Sequence, residues 1–126
     1  MSRWIPKISD TQVVNKSQKK LLDTAKRKLN KYVIREFKDS VGRIGFEIDT
    51  HIVMAKEYIY GWIVSFHKSL VKMAFEKNKK ILLYVGKNDA FYEFLPANVF
   101  DKGTINVRGH EEMLNIDIKS GKRYDS

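Results

Sequence analysis

The 126-residue sequence contains no cysteine. This absence excludes disulfide bonds, zinc–thiolate sites, iron–sulfur clusters and cysteine nucleophiles. It is also consistent with a reducing compartment. The chain has only two prolines and seven glycines, which is too few to indicate a long flexible linker. We therefore predict one domain that spans residues 1–126.

Long hydrophobic runs are also missing from the sequence. No run reaches the ~18 apolar residues that a membrane-spanning helix needs, and the opening MSRWIPKISD lacks the apolar core of a secretion signal. We therefore expect a cytoplasmic protein without a membrane partner. Because 43% of the residues are hydrophobic, the chain has enough apolar surface for a packed core.

Acidic residues are scarce in the first third of the chain. Residues 1–43 contain twelve basic and four acidic residues, a net charge of +8, while the whole chain has a net charge of +9. This asymmetry predicts a basic face and a polyanionic partner. Nucleic acid, and DNA rather than RNA, is the partner we expect. The alternatives are an acidic protein or membrane surface, or a basic face that only aids solubility.

The same third has the spacing of one long amphipathic helix that follows an irregular arm at residues 1–9. Ser9-x-x-Gln12 and Asn15-x-x-Gln18 have the form of capping boxes, and Gly42 is expected to end the helix. Apolar residues recur at helical spacing: Leu22, Ala25, Leu29, Tyr32, Val33 and Phe37. The side chains expected to contact phosphates lie mostly on the other faces: Lys19, Lys20, Lys26, Arg27, Lys31, Arg35 and Lys38.

Residues 44–54 alternate between apolar and polar side chains, which predicts a strand with one buried face. Glu47, Asp49 and His51 would then share the other face. Two carboxylates and an imidazole could hold Mg²⁺ or Mn²⁺ and activate water at a phosphate. The alternative is that these three residues are only the hydrated face of an amphipathic strand.

The rest of the chain predicts further strands and a second helix. Residues 58–78 fit either a helix or a strand followed by a helix; we favour the second, with Gly61 inside the strand and Trp62 in the core. Residues 81–85 and 90–95 flank a hairpin loop at 86–89. Residues 96–103 read as a loop or a short helical turn. Two late strands, 104–108 and 113–118, precede a frayed polar tail at 119–126.

The fold class that follows is α/β. We expect a long N-terminal helix, a mixed β-sheet of about five strands, and a second helix packed on that sheet.

This order of elements, with Glu36 on the first helix and Asp49 in FEIDTHIV, resembles the PD-(D/E)xK nuclease superfamily over roughly residues 20–100. The resemblance implies a metal-dependent DNA endonuclease. Asp49 would hold the metal, Glu47 and Glu36 would assist, and His67 or Lys68 would stabilise the attacking water or the phosphate. The family's E-x-K strand falls at YIYGWIVSFHKSL, where the glutamate is missing and the lysine is replaced or shifted by one.

The sequence therefore predicts a nucleic-acid-binding protein, with endonuclease activity as one version of that function. The candidate catalytic residues are Asp49, Glu36, His67 and Lys68. The alternative, which the missing glutamate favours, is a non-enzymatic accessory protein that binds nucleic acid or protein. It would form a homodimer through the apolar residues 58–75.

Overall fold

The computed structural model of the chain describes residues 8–38, 44–59, 61–108 and 111–125, and for residues 8–17, 44, 108 and 111 it describes the backbone alone. The helices in these ranges are α1 (Ile8–Leu29), α2 (Lys68–Glu76) and α3 (Pro96–Lys102). The strands are β1 (Arg35–Lys38), β2 (Ile44–Glu47), β3 (His51–Lys56), β4 (Ile63–His67), β5 (Lys80–Val85), β6 (Ala90–Phe94), β7 (Thr104–Arg108), β8 (Glu111–Asp117) and β9 (Lys122–Tyr124). A short 3₁₀ helix, Ile118–Ser120, precedes β9.

The fold class is α/β, as predicted, but the strands form two sheets. The central sheet is mixed and has the order β1-β2-β3-β5-β6-β9, with β3 and β5 parallel and the other neighbours antiparallel. A second, antiparallel sheet has the order β4-β8-β7. None of the helices in the described ranges is long and apolar enough to cross a bilayer.

Both faces of the central sheet are buried. Val53 and Leu82 pack with α1 on one face, whereas Ile52 and Ile81 pack with the second sheet and α2 on the other. All four side chains are fully buried. Because successive side chains of a strand point to opposite faces, burial of both faces explains why residues 81–85 of β5 are a continuous apolar run.

The N-terminal helix is shorter than predicted. It ends at Leu29, where Asn30 adopts a left-handed conformation with φ of 52°, which ends a helix at low cost for asparagine. Arg35–Lys38 forms β1 instead of continuing the helix. Residues 8 and 9 of the predicted arm belong to α1, whereas residues 1–7 and the predicted stop at Gly42 lie outside the described residues.

The predicted strand at 44–54 is two antiparallel strands. β2 and β3 are joined by a tight turn in which Ile48 N donates to His51 O at 3.0 Å. Asp49 and Thr50 occupy this turn, since their short polar side chains suit turn conformations better than a continuous strand. The periodicity of apolar residues did not reveal the reversal of the chain.

Residues 58–78 form a strand and then a helix, as favoured, but Trp62 is not in the core. Gly61 lies in a turn before β4 with φ of 60°, rather than inside the strand. Trp62, also in the turn, is 61% exposed, and Lys119 Nζ lies 4.8 Å from the centroid of its ring. The hairpin loop at 86–89 is confirmed, and residues 96–103 contain α3.

The polar tail is not frayed. β9 pairs with β6 and places Tyr124 opposite Phe91, against the core beneath α1. Gly121 makes this approach feasible because a Cβ atom there would lie 2.7 Å from the ring of Phe94. Because this segment is rich in lysine, arginine and glycine, it has no apolar pattern that would predict a strand. It becomes a strand because another strand leaves an edge open for pairing.

The position of Trp62 gives a stability prediction. Trp62→Ala should lower the free energy of unfolding by less than about 1 kcal/mol, because the ring is mostly in solvent and contributes little beyond its contact with Lys119. Phe94→Ala is the matched aromatic control and should cost about 3–5 kcal/mol, since Phe94 is 1% exposed. Urea denaturation of both variants measures the difference, and equal losses would contradict this placement of Trp62.

Candidate functional site

The structure does not place the predicted metal ligands on one face. Glu47 pairs in register with Ile52, so both side chains point towards the second sheet and α2. His51 precedes Ile52 and points to the opposite face, where it contacts Glu93. The turn between β2 and β3 therefore separates Glu47 from His51, and the prediction that Glu47, Asp49 and His51 share one face is wrong.

Glu47 is instead the centre of a cluster of positive charges. Its carboxylate accepts hydrogen bonds from Arg35 Nε at 2.8 Å, Lys77 Nζ at 3.1 Å and Lys79 Nζ at 2.5 Å. The side chain is only 5% exposed. The hydrogen bond from Lys79, with those from Lys77 and Arg35, lowers the pKa of Glu47 from its ordinary value of 4.5 to about 2. Through these contacts the carboxylate holds β1 and the end of α2 against β2.

A cleft of about 760 Å³ opens beside the β2–β3 turn. We call it the β2–β3 cleft. It is lined by Lys31, Tyr32, Ile34, Ile48, Asp49, Thr50, His51, Asn78, Lys80, Glu93 and Tyr124. Asp49 is exposed there, and Tyr32 is 83% exposed. The β2–β3 cleft combines aromatic and apolar surface with a few converging polar groups, which is the usual character of a ligand site.

A chain of two short hydrogen bonds lies in the wall of the β2–β3 cleft. Thr50 Oγ1 lies 2.6 Å from His51 Nδ1, and His51 Nε2 lies 2.6 Å from Glu93 Oε2. The imidazole is nearly buried and packs edge-on against the Tyr124 ring at a centroid distance of 5.2 Å. Lys80 Nζ lies 3.8 Å from the other oxygen of Glu93. Of the three hydrogen-bonded residues, Thr50 is the exposed one.

The predicted catalytic residues lie in different layers of the fold. Glu36 is on β1 rather than on the first helix, and it forms ion pairs with Lys26 and, at 3.7 Å, with Lys19. Both lysines belong to α1, and their hydrogen bonds and charge lower the pKa of Glu36. This places Glu36 on the α1 side of the central sheet.

His67 and Lys68 lie on the other side of the central sheet. His67 is buried at the end of β4, and Lys68 begins α2 with its Nζ 3.0 Å from Glu112 Oε1. Asp49 lies in the β2–β3 turn, apart from both. Among the described residues, no group of three or more His, Asp or Glu side chains is arranged to hold a metal ion. The residues proposed for Mg²⁺ or Mn²⁺ therefore do not fit such an ion as a set.

The predicted phosphate-binding residues divide into two groups. Lys19, Lys26 and Arg35 are paired with Glu36 or Glu47. The other group is exposed and, within the described residues, has no carboxylate within 4.0 Å: Lys20, Arg27, Lys31 and Lys38. We call this second group the basic row. The positive charge of the basic row can therefore interact with a partner. The charge of the first group is partly offset by Glu36 and Glu47.

Sequence reasoning missed Glu93, Lys77, Lys79 and the hydroxyl of Thr50. Glu93 is the one acidic residue in the apolar run AFYEFL, which is the signal that could have singled it out, because a carboxylate inside an apolar strand needs a partner. Lys77 and Lys79 lie in a lysine-rich stretch whose composition is typical of a solvated turn, so it gives no sign of a buried partner. The apolar residues 58–75, predicted to form a homodimer surface, contribute Phe66, Leu70 and other side chains to the core, so homodimer formation stays a prediction.

Comparison with known proteins gives this chain no relative. No protein family matches it, and neither a curated protein nor a solved structure is significantly similar. The resemblance to PD-(D/E)xK nucleases is therefore neither supported nor refuted by comparison. Any function must be argued from the residues and the geometry described above.

The Glu47 cluster predicts a pH-dependent contribution to stability. Glu47→Gln should lower the free energy of unfolding at neutral pH by about 2 kcal/mol, which is less than for a fully buried pair because Lys77 and Arg35 reach solvent. Since the native pKa of Glu47 lies below its ordinary value, the stabilisation is complete above that ordinary value and is lost as the pH falls towards the native pKa. The wild type and Glu47→Gln should therefore converge in strong acid.

The measurement is urea denaturation of both proteins from neutral to strongly acidic pH. Glu76→Gln is the matched control, because Glu76 is exposed on α2 and its substitution removes the same charge at no comparable cost. A gap between Glu47→Gln and wild type that stays constant over the whole pH range would contradict the role assigned to the Glu47 charge.

Proposed function

We propose that this chain binds nucleic acid through the basic row, with DNA as the expected polyanion. The observation that carries the proposal is that Lys20, Arg27, Lys31 and Lys38 are exposed and have no acidic partner among the described residues. Glu36 on β1 and Asp23 on α1 are already paired with other lysines. The surface therefore presents uncompensated positive charge to a partner.

The spacing of the basic row suits a phosphate backbone. Lys20 and Arg27 are seven residues apart on α1, which places them on the same side of the helix at a separation of ~10 Å. Lys31 follows just beyond the end of the helix and is exposed there. Lys38 lies on β1, at the edge of the central sheet. Phosphate contacts from such exposed cations hold the backbone without reading the sequence.

An exposed aromatic residue lies directly beside the basic row. Tyr32 follows Lys31 and is 83% exposed, the highest value among the large apolar and aromatic side chains that the structure describes. Base stacking on an aromatic ring flanked by cations is the common mode of binding single strands. This arrangement supports unpaired or locally opened nucleic acid as the preferred form over uninterrupted duplex.

No feature of the described residues supports the endonuclease version of this function specifically. Its metal would be Mg²⁺ or Mn²⁺, and its residues would be Asp49, Glu36, His67 and Lys68, which lie in separate parts of the fold. Binding is therefore the function that the geometry supports best. Nicking of supercoiled plasmid by the wild type with Mg²⁺ or Mn²⁺, lost in Asp49→Asn, would restore the endonuclease version.

The test of binding is a salt titration. A triple variant, Lys20→Ala with Arg27→Ala and Lys31→Ala, should weaken binding to a labelled oligonucleotide in fluorescence anisotropy. For duplex DNA, the slope of log affinity against log salt should flatten by about 0.9 for each lost phosphate contact. Stability should change little, because all three side chains are exposed.

The matched control removes three lysines elsewhere on the surface: Lys72→Ala with Lys87→Ala and Lys102→Ala. These residues are exposed on α2, in the β5–β6 loop and on α3, and the change in net charge is the same. The proposal expects the control to bind nearly as the wild type does. Equal weakening in both triple variants would reduce the effect to net charge, and no binding by the wild type to duplex or single-stranded DNA would refute the proposal.

A further inference from the structure

The chain of hydrogen bonds in the β2–β3 cleft has a defined direction. The Glu93 carboxylate, when ionised, only accepts hydrogen bonds, so His51 Nε2 at 2.6 Å must carry the proton and donate it. In the neutral imidazole Nδ1 is then an acceptor. The hydroxyl of Thr50, 2.6 Å from Nδ1, must donate to it. The lone pairs of the Thr50 oxygen are then not used by this hydrogen bond, and Thr50 lines the cleft.

This arrangement is that of an activated nucleophile: a hydroxyl, a base within hydrogen-bond reach, and a carboxylate that orients the base. The burial of its members follows the same logic. The Glu93 and His51 side chains are 17% and 6% exposed, while Thr50 is exposed in the turn.

We propose that the β2–β3 cleft is an esterase-type site in which Thr50 is the nucleophile, His51 the general base and Glu93 a positioning residue. This proposal does not rest on nucleic-acid binding. Tyr32 and Ile34, both exposed in the cleft, provide apolar surface for an acyl group. The Asn78 amide and the Lys80 ammonium also line the cleft, and both are donors of the kind that stabilise an oxyanion. The substrate class is therefore a small carboxylic ester.

The reaction conserves atoms and protons in two steps. Thr50 Oγ1 attacks the acyl carbon while its proton passes to His51 Nδ1, and Glu93 stabilises the resulting imidazolium. The carbon–oxygen bond to the leaving alcohol breaks, and the alcohol takes the proton from Nδ1. Water then attacks the acylated Thr50, again giving a proton to Nδ1. The acid departs, and that proton returns to Thr50 Oγ1.

The probe for this site is p-nitrophenyl acetate. It should acetylate Thr50 and release p-nitrophenol, and peptide mass spectrometry after acid quench should find the acetyl group. Trypsin cuts after Arg43 and Lys56, and the peptide 44–56 contains Thr50 as its only hydroxyl side chain. An acetyl group on this peptide, beyond that found on lysines elsewhere, therefore reports the nucleophile directly.

Four variants distinguish a catalytic Thr50–His51 pair from a histidine that has only a structural role. Thr50→Val keeps the shape of the side chain and should abolish labelling of peptide 44–56, whereas Thr50→Ser should retain it. His51→Ala should slow labelling by about 100-fold or more, the usual effect of losing a general base. Thr104→Val is the matched control, because Thr104 is exposed on β7 and outside the cleft, and it should label as the wild type does.

The positioning role of Glu93 has its own readout. Glu93→Gln keeps the size of the side chain but removes the charge that stabilises the imidazolium. Hydrolysis of p-nitrophenyl acetate should then show a lower kcat with an unchanged KM, at an unchanged melting temperature. A rise in KM together with a lower melting temperature would instead show that Glu93 only maintains the cleft, and would overturn its assigned role.

The outcomes decide the proposal even if His51→Ala, which alters a buried residue, does not fold. An acetyl group on peptide 44–56 that Thr50→Val removes and Thr50→Ser retains supports it. The absence of that acetyl group in the folded wild-type protein overturns it, and so does labelling of His51→Ala at the wild-type rate. In either case the hydrogen bonds of His51 serve only to satisfy a buried imidazole.

Discussion

The parallel pairing of β3 with β5 is the interaction on which the rest of this structure depends. The two strands are the central pair of the six-stranded sheet, and their apolar side chains point alternately towards α1 and towards the second sheet. A strand pair buried on both faces cannot leave either face to solvent, so both covering layers are required. The register also places His51 opposite Lys80 at one end of the pair, and thereby sets the wall of the β2–β3 cleft.

The charge of the chain is organised by the same layers. Glu47, on the face of α2, gathers Arg35, Lys77 and Lys79, while Glu36, on the face of α1, gathers Lys19 and Lys26. Each carboxylate therefore offsets part of the positive charge on its own side of the sheet. The basic row on α1, just beyond it and on β1 has no such partner among the described residues, and it is the basis of the proposed binding of nucleic acid.

The two proposals concern adjacent surfaces with different chemistry. The basic row is an open line of cations, which suits a long polyanion. The β2–β3 cleft is a concave site with a polarised hydroxyl, which suits a small electrophile. Lys31 belongs to both surfaces, since it is part of the basic row and also lines the cleft, and Tyr32 next to it lines the cleft as well. A partner bound along the row would therefore pass the mouth of the cleft.

The sequence by itself determined the α/β class, the strand-then-helix order of residues 58–78 and the hairpin around 86–89. These elements depend on local patterns: alternation in short apolar runs, and a loop of Gly, Lys, Asn and Asp between two strands. It also determined that the positive charge lies in the first third of the chain, because a count of charged residues needs no fold.

Only the tertiary structure decided where those charges and polar groups act. The end of α1 at Leu29, the turn at Asp49 and Thr50, and the pairing of β9 with β6 each depend on an available neighbouring strand, which no local period reveals. The partners of Glu47 lie 12 to 32 residues away in sequence, and Glu93 lies 42 residues from His51. Hydrogen bonds and ion pairs form between groups that the fold brings within about 3 Å, and sequence separation does not encode that distance.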